Sequence, residues 1–266
     1  NIHNRNFKWN TNFVLSYYRN YYVKRDANYV LGINETQRQD VNDMWQYVVD
    51  GMIPAGNPNA GALKFKDLNG YLRDDSGNIV MVNGKPAYSG SPDGMIDEAD
   101  MIYKGNSTPI PFSLNNSFEF GKFDVNVYFY GMFNNWQKNS TYTMFAGNLQ
   151  NVALYGENTL KSLANRWSYD NLNSSIPSIF AHVESTAAQR NGYYLEKAWF
   201  LRCDNVSLGY TFKTKKSNKY FSSLRVYAAA RNLFVITPYS GSDPETDSQA
   251  AYPNSRTYTF GIDITF

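Results

Sequence analysis

Acidic and amide side chains in two short segments have the spacing of a calcium-binding loop. The segments are KDLNG and SPDGMIDEAD, and joined together they give the pattern D-x-N-x-D-G-x-I-D-x-x-D. A hard cation needs several converging oxygens, and an EF-hand-like loop supplies them at fixed positions around a sharp glycine turn. The six predicted ligands are Asp67, Asn69, Asp93, Met95 through its carbonyl, Asp97 and Asp100.

The insertion YLRDDSGNIVMVNGKPAYSG separates the second predicted ligand from the third, and it leaves two interpretations of this acidic loop open. In the first, the two halves close around a calcium ion, which would be the one cofactor of the chain. In the second, the loop is solvated, and its Asp and Asn side chains hold the backbone through Asx turns.

Residues that could support catalysis are few and scattered. His3 and His182 are far apart in the sequence, and no Ser-His-Asp or Cys-His pattern surrounds either of them. Cys203 has no basic neighbour that would activate its thiol. The segment GSDPETD contains carboxylates, but nothing separates their pKa values as a glycosidase pair requires, so we interpret it as a solvated loop. The sequence predicts that the chain is not an enzyme.

The composition is compatible with a β-rich membrane protein. Aromatic residues make up 17% of the 266 residues, and Tyr alone contributes 22. Aromatic side chains are enriched in strands and at membrane interfaces. The mean hydropathy of -0.52 and the absence of an apolar run near ~18 residues exclude a transmembrane helix, but strands of a membrane barrel need only ~9–11 residues each. A net charge of +2 gives no indication of a nucleic-acid partner.

Alternation of apolar and polar residues predicts about seven strands. The clearest is GKFDVNVYFYGMF, and PFSLNNSFEF before it completes a hairpin with a tight turn. LRCDNVSLGYTF changes phase after Cys203, which predicts a bulge near Asn205. The other predicted strands are RNFKWNTNFVLSYY, DMWQYVVDGMI, SLRVYAAARNLFVI and YTFGIDITF.

Following the direction of these strands assigns each connection to one side of the sheet. The turn at Gly121 and Lys122, residues 22–40 and residues 213–221 fall on one side. The long connections fall together on the other side, and they are 54–107, 134–195 and 236–254. Outer-membrane barrels have this asymmetry, whereas a soluble sandwich has no reason for it.

The chain resembles the C-terminal third of a SusC-type TonB-dependent transporter (SusC/RagA family) from the outer membrane of the Bacteroidetes. The matching segments follow the order of the family along nearly the whole chain: NFKWNTNFVLSYYRN, WQYVVDGMI, DGMIDEADMIYKGNSTPIP, FDVNVYFYGMF, LEKAWFLRCDNVSLGYTF, LRVYAAARNLFVITPYSGSDPE and YPNSRTYTFGIDITF. The resemblance implies an all-β fold in which residues 1–266 are the C-terminal portion of a transmembrane barrel of about 22 strands. The plug and the first strands would lie outside this chain.

The resemblance also implies a location and partners. The chain would lie in the outer membrane of a Gram-negative bacterium, with the long loops extracellular, Phe266 in the periplasm and Asn1 in an extracellular loop. Its partners would be the N-terminal part of the same transporter, the TonB complex acting through the plug, and a SusD-like surface lipoprotein. Its substrate would be an oligosaccharide or a peptide, and both classes remain open.

Two further sets of residues are candidates for functional roles. Outer-membrane barrel proteins share a C-terminal signal for the barrel assembly machinery, and the residues that match it are Thr259, Gly261, Ile264 and Phe266. Aromatic loop residues could stack on sugar rings, pack against peptide side chains or fold the loop onto itself. The candidates for substrate contact are Trp136, Tyr142, Trp167 and Tyr169.

A second function class is a soluble extracellular β-sandwich that serves as a glycan-binding or adhesion module. Such a domain would purify without detergent and refold alone. A piece of a barrel has open edges at its first and last strands, where unpaired backbone groups cannot be satisfied by hydrocarbon. Solubility therefore discriminates between the two classes.

Overall fold

The fold is built mainly from strands joined by turns and loops. The structure is a computed structural model that describes residues 1–4, 6–24, 38–139, 142, 160–178, 192–213, 220–246, 252 and 254–266. Its strands, in chain order, are β1 (Ile2–His3), β2 (Phe7–Leu15), β3 (Asp43–Gln46), β4 (Val49–Met52), β5 (Leu63–Phe65), β6 (Met81–Val82), β7 (Lys85–Pro86), β8 (Ile102–Asn106), β9 (Ile110–Phe120), β10 (Phe123–Phe133), β11 (Trp136–Lys138), β12 (Leu195–Lys197), β13 (Phe200–Lys213), β14 (Ser223–Ile236) and β15 (Thr257–Thr265). Two 3-10 helices occupy Glu98–Asp100 and Lys161–Asn165. Within the described ranges, no helix has the length and apolar character needed to cross a membrane.

One antiparallel sheet of seven strands dominates the fold, in the order β1-β2-β9-β10-β13-β14-β15. Each main strand therefore pairs with the next main strand along the chain. β9 and β10 are joined at Gly121, whose φ of 63° lies in the left-handed region that glycine occupies without strain. The sheet confirms the predicted number of antiparallel strands and the predicted hairpin.

The predicted bulge is also present. The pairing of β13 with both neighbours shifts register at one level, between Cys203 and Asn205. Asn232, opposite this point on β14, has a φ of 50°. A bulge re-aims the side chains around it, so this level of the sheet is a place where unusual contacts can be built.

The segment DMWQYVVDGMI is not a strand of the main sheet, and this prediction was wrong. β2 pairs directly with β9 over its whole length, and the seventh strand is β1. The segment instead forms β3, which pairs with β8, and β4, which pairs with β5. Tyr47 between these short strands is buried against Met101, with Trp45 and Phe65 packed around them. The apolar alternation in this segment thus serves a small local core within a connection.

The direct pairing of β2 with β9 changes how the connections divide between the two sides of the sheet. Residues 16–109 are one long connection, on the same side as 134–199 and 237–256. The described residues of 22–40 therefore belong to a long connection and not to a short turn. Three long connections share one side, which we call the long-connection side, and the short turns share the other, which we call the short-turn side.

Asn1 does not lie in a loop on the long-connection side, contrary to the prediction. His3 pairs with Lys8, and the Gly121 N–H in the β9–β10 turn donates to the Asn6 carbonyl at 3.1 Å. The side chain of Asn1 accepts from the backbone N–H of Thr11 at 3.1 Å. Asn1 therefore lies beside β2, within the sheet.

The main sheet has one polar face and one apolar face, because side chains alternate along each strand. The polar face carries charged, amide and hydroxyl groups, among them Lys8, Asn10, Ser117, Glu119, Asp124, Asn126 and Ser207. The apolar face carries Trp9, Phe13, Phe118, Phe123, Val125, Leu208, Phe260 and Ile262. Phe13 and Phe260 on that face are 59% and 81% exposed. Of the described apolar residues that are buried, most lie in the connections, including Tyr47, Leu63, Met101, Leu163 and Trp167.

Candidate functional site

Arg225 joins three strands on the polar face near the short-turn side. Two of its nitrogens donate to both oxygens of Asp124 at 2.9 and 2.6 Å, and a third donates to Asp263 at 3.0 Å. The contact crosses β13 at Gly209, where a Cβ would lie 2.4 Å from the Oδ1 of Asp124. The guanidinium also lies 4.8 Å from the ring centroid of Tyr227. Bidentate charge-assisted bonds are both strong and directional, so this arginine ties β10, β14 and β15 together.

A buried arginine organises the opposite, long-connection end of the polar face. Arg202 on β13 is 2% exposed and contacts Asp243 at 2.8 Å and Glu245 at 2.6 Å. A further nitrogen of Arg202 donates to the side chain of Asn232 at the bulge. We call these four residues the Arg202 cluster. It fixes residues 237–246 against the sheet, because losing one member would leave buried charge uncompensated.

The Arg202 cluster corrects the interpretation of GSDPETD as a solvated loop. Asp243 is buried, and the Asn254 side chain donates to its second oxygen at 3.3 Å. The Tyr130 hydroxyl donates to Glu245 at 2.9 Å. Both carboxylates therefore hold Arg202, while Asp247 lies outside the described residues. The sequence signal was a charged residue inside an apolar strand segment, Leu201 to Cys203, which requires an acidic partner elsewhere.

The two halves of the acidic loop lie together in the structure. The Asp67 carboxylate accepts from the backbone N–H groups of Asp93 and Gly94 at 3.3 and 2.6 Å. A Cβ on Gly70 would lie 2.6 Å from the Asp93 side chain. The insertion extends away from this junction as a separate loop with the β6–β7 hairpin at its far end. Its two ends are held together by the bridge between Tyr71 and Tyr88. The insertion therefore does not keep the predicted ligand segments apart.

The second half of the acidic loop is capped by its own carboxylates. Asp100 is buried and accepts from the N–H groups of Leu68 and Asn69 at 2.6 and 3.1 Å, and from that of Asp97 at 2.9 Å. Burial raises the pKa of Asp97, and the carboxylates of Asp100 and Asp93 add to this rise. In the described part of the chain, no three His, Cys, Asp or Glu side chains form a set that could hold a metal ion. Calcium at the six predicted ligands, including the carbonyl of Met95, stays a prediction.

The four aromatic residues predicted to contact substrate occupy different surroundings. Trp167 is 4% exposed and covers Gly61, whose Cβ would lie 2.4 Å from the indole. The ring of Tyr142 is tilted against the rings of Tyr193 and Tyr194, with centroids 6.2 and 6.0 Å away. Trp136 is half-buried, and the ammonium of Lys197 lies 5.7 Å from its ring centroid. Tyr169 is 73% exposed. Trp167 therefore helps to fold a connection, and among the four only Tyr169 is presented openly to solvent.

The predicted assembly-signal residues lie along β15, except Phe266, which follows it. Gly261 is covered by Tyr227, which a Cβ would approach to 2.3 Å. Thr259 pairs with Ala229, and Ile264 pairs with Leu224. Phe266 follows the last strand and is exposed. The structure gives Gly261 a packing role, and the recognition of the signal stays a prediction.

The residues considered for catalysis lie far apart where they are described. The ring Nε2 of His3 lies 3.0 Å from the Oδ1 of Asn10 on the polar face. Cys203 is buried at the bulge. His182 lies outside the described residues.

The fold of the sheet is similar to that of part of solved peptide-transporter structures. The chain is similar to the structure titled RagAB peptide importer in the 'open-open' state, with a TM-score of 0.64 and 21% identity over 99% of this chain and 27% of that chain. It is also similar to the structure titled RagAB peptide transporter, with a TM-score of 0.66 and 20% identity over 100% of this chain and 28% of that chain. At this identity the likeness shows the fold.

Sequence comparison confirms the resemblance to SusC-type TonB-dependent receptors. The TonB-dependent receptor SusC of Bacteroides thetaiotaomicron is 29% identical over 194 residues, which are 69% of this chain and 18% of SusC. The TonB-dependent receptor P3 of Formosa agariphila is 25% identical over 296 residues, which cover 100% of this chain and 27% of that protein. The chain thus spans 18% to 27% of the length of these relatives. No family model matches the chain.

Proposed function

We propose that this chain forms part of the wall and the mouth of an outer-membrane importer of the SusC type. The importer carries oligosaccharides or peptides and is energised by TonB. The observation that carries the proposal is the placement of three long connections on one side of a sheet with opposite polar and apolar faces. In an outer-membrane barrel, long connections face the outside of the cell and short turns face the periplasm. The similarity to receptors of this class supports the same assignment.

The apolar face supports a membrane location. Exposed aromatic and aliphatic side chains on this face, such as Phe13, Phe260 and Ile262, have no second sheet against them among the described residues. Hydrocarbon is the solvent that such a face requires. The polar face would then line the interior, with the carboxylates and amides that an aqueous passage tolerates.

The edges of the sheet support closure by further strands. β1 and β15 each pair with one neighbour in the described sheet. Unpaired edges are not tolerated in lipid, so the proposal assigns both edges to strands of the N-terminal part of the same transporter. That part also carries the plug through which the TonB complex acts.

A SusD-like lipoprotein is the proposed partner on the outer side. Loops longer than ~15 residues are uncommon without a role, and three such connections lie on the long-connection side of the sheet. A barrel of about 22 strands is too wide to hold a ligand by its wall alone. We therefore propose that the substrate is enclosed between a lid above and a plug below, with no catalytic step in this chain.

The rival function is a soluble β-sandwich module. A sandwich covers the apolar face of each sheet with a second sheet. In the described residues, the other sheets have two strands each and belong to the connections. This arrangement favours the transporter proposal.

Cysteine labelling on intact cells tests the proposed orientation. Ser76→Cys and Lys122→Cys place exposed thiols on the long-connection and short-turn sides, while native Cys203 is buried. We expect a membrane-impermeant maleimide to label Ser76→Cys on intact cells, and Lys122→Cys only after the outer membrane is permeabilised. The reverse pattern would contradict the orientation, and recovery of the chain as a soluble monomer without detergent would support the sandwich.

Deletion of the lipoprotein partner tests the proposed lid. We expect substrate affinity and uptake to fall when the partner is removed from the native membrane. Unchanged affinity and uptake would favour a simple receptor or porin.

A further inference from the structure

We propose that a cavity on the polar face beside Glu245 is a subsite for a cationic group of a peptide, such as a lysine side chain, and this inference rests on the proposed import function. The cavity has a volume of about 270 Å³ and lies at the long-connection end of the sheet. Strand side chains and one connection residue line it together, among them Val14, Ser113, Tyr128, Tyr130, Phe200 and Glu245.

The first argument is the charge of the lining. Among the described residues that line the cavity, Glu245 carries the only carboxylate or basic group. Its neighbour Arg202 does not neutralise the region, because the same guanidinium also pairs with Asp243 at 2.8 Å. One arginine faces two carboxylates, and the Arg202 cluster keeps an excess negative charge. An excess negative charge beside the cavity attracts an occupant of opposite sign.

The second argument is an acceptor that remains available. One oxygen of Glu245, Oε2, lies 2.6 Å from the Nε of Arg202 in an ion pair and accepts a hydrogen bond from the Tyr130 hydroxyl at 2.9 Å. The other oxygen, Oε1, has no hydrogen-bond partner among the described residues. The two contacts on Oε2 fix the carboxylate, so Oε1 is a positioned acceptor for a donor that enters the cavity.

The third argument is the aromatic wall. The rings of Tyr128 and Tyr130 are stacked with centroids 6.1 Å apart, and the ring of Phe200 meets Tyr130 edgewise at 5.9 Å. Aromatic faces attract ammonium and guanidinium groups, and the apolar surfaces suit the methylene stem of such a side chain. Val14 on β2 adds an aliphatic wall.

A peptide cation fits these features better than a neutral sugar. A saccharide hydroxyl could donate to Glu245, but it would leave the excess charge uncompensated. A charged donor satisfies both the free acceptor and the charge, and charge-assisted bonds are about twice as strong as neutral ones. Binding of a neutral sugar in this cavity is therefore the test result that would contradict the inference.

Binding to the complete purified transporter, with any lipoprotein that co-purifies, tests the subsite. The probes are a labelled octapeptide with one central lysine, the same octapeptide with glutamine in that place, and a neutral maltoheptaose. We expect the wild type to bind the lysine peptide about tenfold tighter than the glutamine peptide, and Glu245→Gln to reduce this preference to below about threefold. Glu119→Gln is the matched control, because Glu119 also lies on the polar face in an ion pair, with Lys8 at 2.8 Å.

The outcomes separate this inference from the proposed function. Equal wild-type affinity for the two peptides overturns the subsite without any variant, while the transporter proposal stands. Equal weakening of both peptides by Glu245→Gln also overturns it, because the residue would then act only on the fold. Binding of maltoheptaose that Glu245→Gln weakens would make the cavity a glycan subsite instead. If the wild type binds none of the probes and imports no peptide or oligosaccharide, the proposed function itself fails.

Discussion

Arg225 reaches Asp124 across an intervening strand because Gly209 between them has no side chain. The two residues lie on β14 and β10, and their closest atoms are 2.6 Å apart. A Cβ at Gly209 would lie 2.6 Å from the Arg225 guanidinium and 2.4 Å from the Asp124 carboxylate. The absence of a side chain on β13 therefore permits an ion pair between strands that are not neighbours.

Gly209→Val is expected to break this pair and to weaken the barrel. The new side chain would occupy the space of the guanidinium, and the partly exposed pair is worth on the order of 1 kcal/mol after solvent screening. The measurement is the temperature at which the complete transporter loses its folded mobility in gel electrophoresis. Ser207→Val, one level along the same face, is the control. Equal effects of the two substitutions would contradict the special role of Gly209.

Arg202→Met is expected to release residues 237–246 from the sheet. The substitution keeps an aliphatic stem but leaves Asp243 and Glu245 without their cation, and breaking a buried pair costs about 3–5 kcal/mol. Hydrogen exchange of the amides in 239–246 should accelerate by at least about tenfold. Arg231→Met is the matched control, since Arg231 is exposed and lies 3.9 Å from Asp204. Unchanged exchange in Arg202→Met would show that other contacts hold this segment.

The hydrogen bond from the Trp9 indole to the Asn116 side chain on the apolar face is expected to stabilise the fold. The indole N–H donates to the Oδ1 of Asn116 at 3.1 Å, and a polar group in hydrocarbon is costly without a partner. Trp9→Phe should destabilise the folded transporter by about 1–2 kcal/mol. Adding Asn116→Leu should recover most of that loss, and the double-mutant cycle measures the coupling. Additive effects would mean that the bond contributes nothing.

The main strands could be predicted because their alternation spans the whole sheet. The bulge near Asn205 was visible as a change of phase within a single strand. DMWQYVVDGMI has the same local pattern, but its apolar residues pack on Met101 and Phe65 in a connection. Alternation of apolar and polar residues indicates that one face of a strand is buried. It does not identify the part of the protein that covers that face. Counting this segment as a strand of the main sheet assigned residues 22–40 to the short-turn side and placed Asn1 in a loop on the long-connection side.

The sites were harder to predict because their members are distant in sequence. Arg202 and Asp243 meet only because the connection that follows β14 folds back onto β13. The acidic loop shows the opposite case, since its motif was visible and its two halves meet through the hydrogen bonds of Asp67 with Asp93 and Gly94. The acidic motif could still be recognised because the spacing within each of its two halves is kept. The partners of an ion pair have no characteristic spacing in the sequence, so the pair could not be recognised.

The acidic loop is expected to bind calcium weakly and to be stabilised by it. Extracellular modules of this type bind with dissociation constants of roughly 0.1–1 mM, and Asp67→Asn should weaken binding at least about tenfold because it removes a charged ligand. Terbium luminescence and calcium titration of the chelator-treated transporter measure this. Asp74→Asn in the inserted segment is the control, since the Asp74 side chain accepts within its own turn, at Ser76 and Asn78. No calcium dependence in the wild type would leave the Asx-turn interpretation.

Phe266→Asp is expected to reduce the amount of transporter in the outer membrane several-fold, without a matching change in substrate affinity of the protein that is inserted. The residue follows the apolar alternation of Phe260, Ile262 and Ile264 and is 91% exposed, so it contributes little to contacts within this chain. A charged group at the end of β15 would disturb an apolar terminal strand that the assembly machinery is proposed to recognise. Immunoblots of outer-membrane fractions and binding to the purified protein measure the two effects separately. Tyr252→Asp makes the same aromatic-to-acid change at an exposed position of a long connection and should leave membrane levels normal. Normal levels of the Phe266→Asp protein would show that the terminal aromatic is not an assembly signal here.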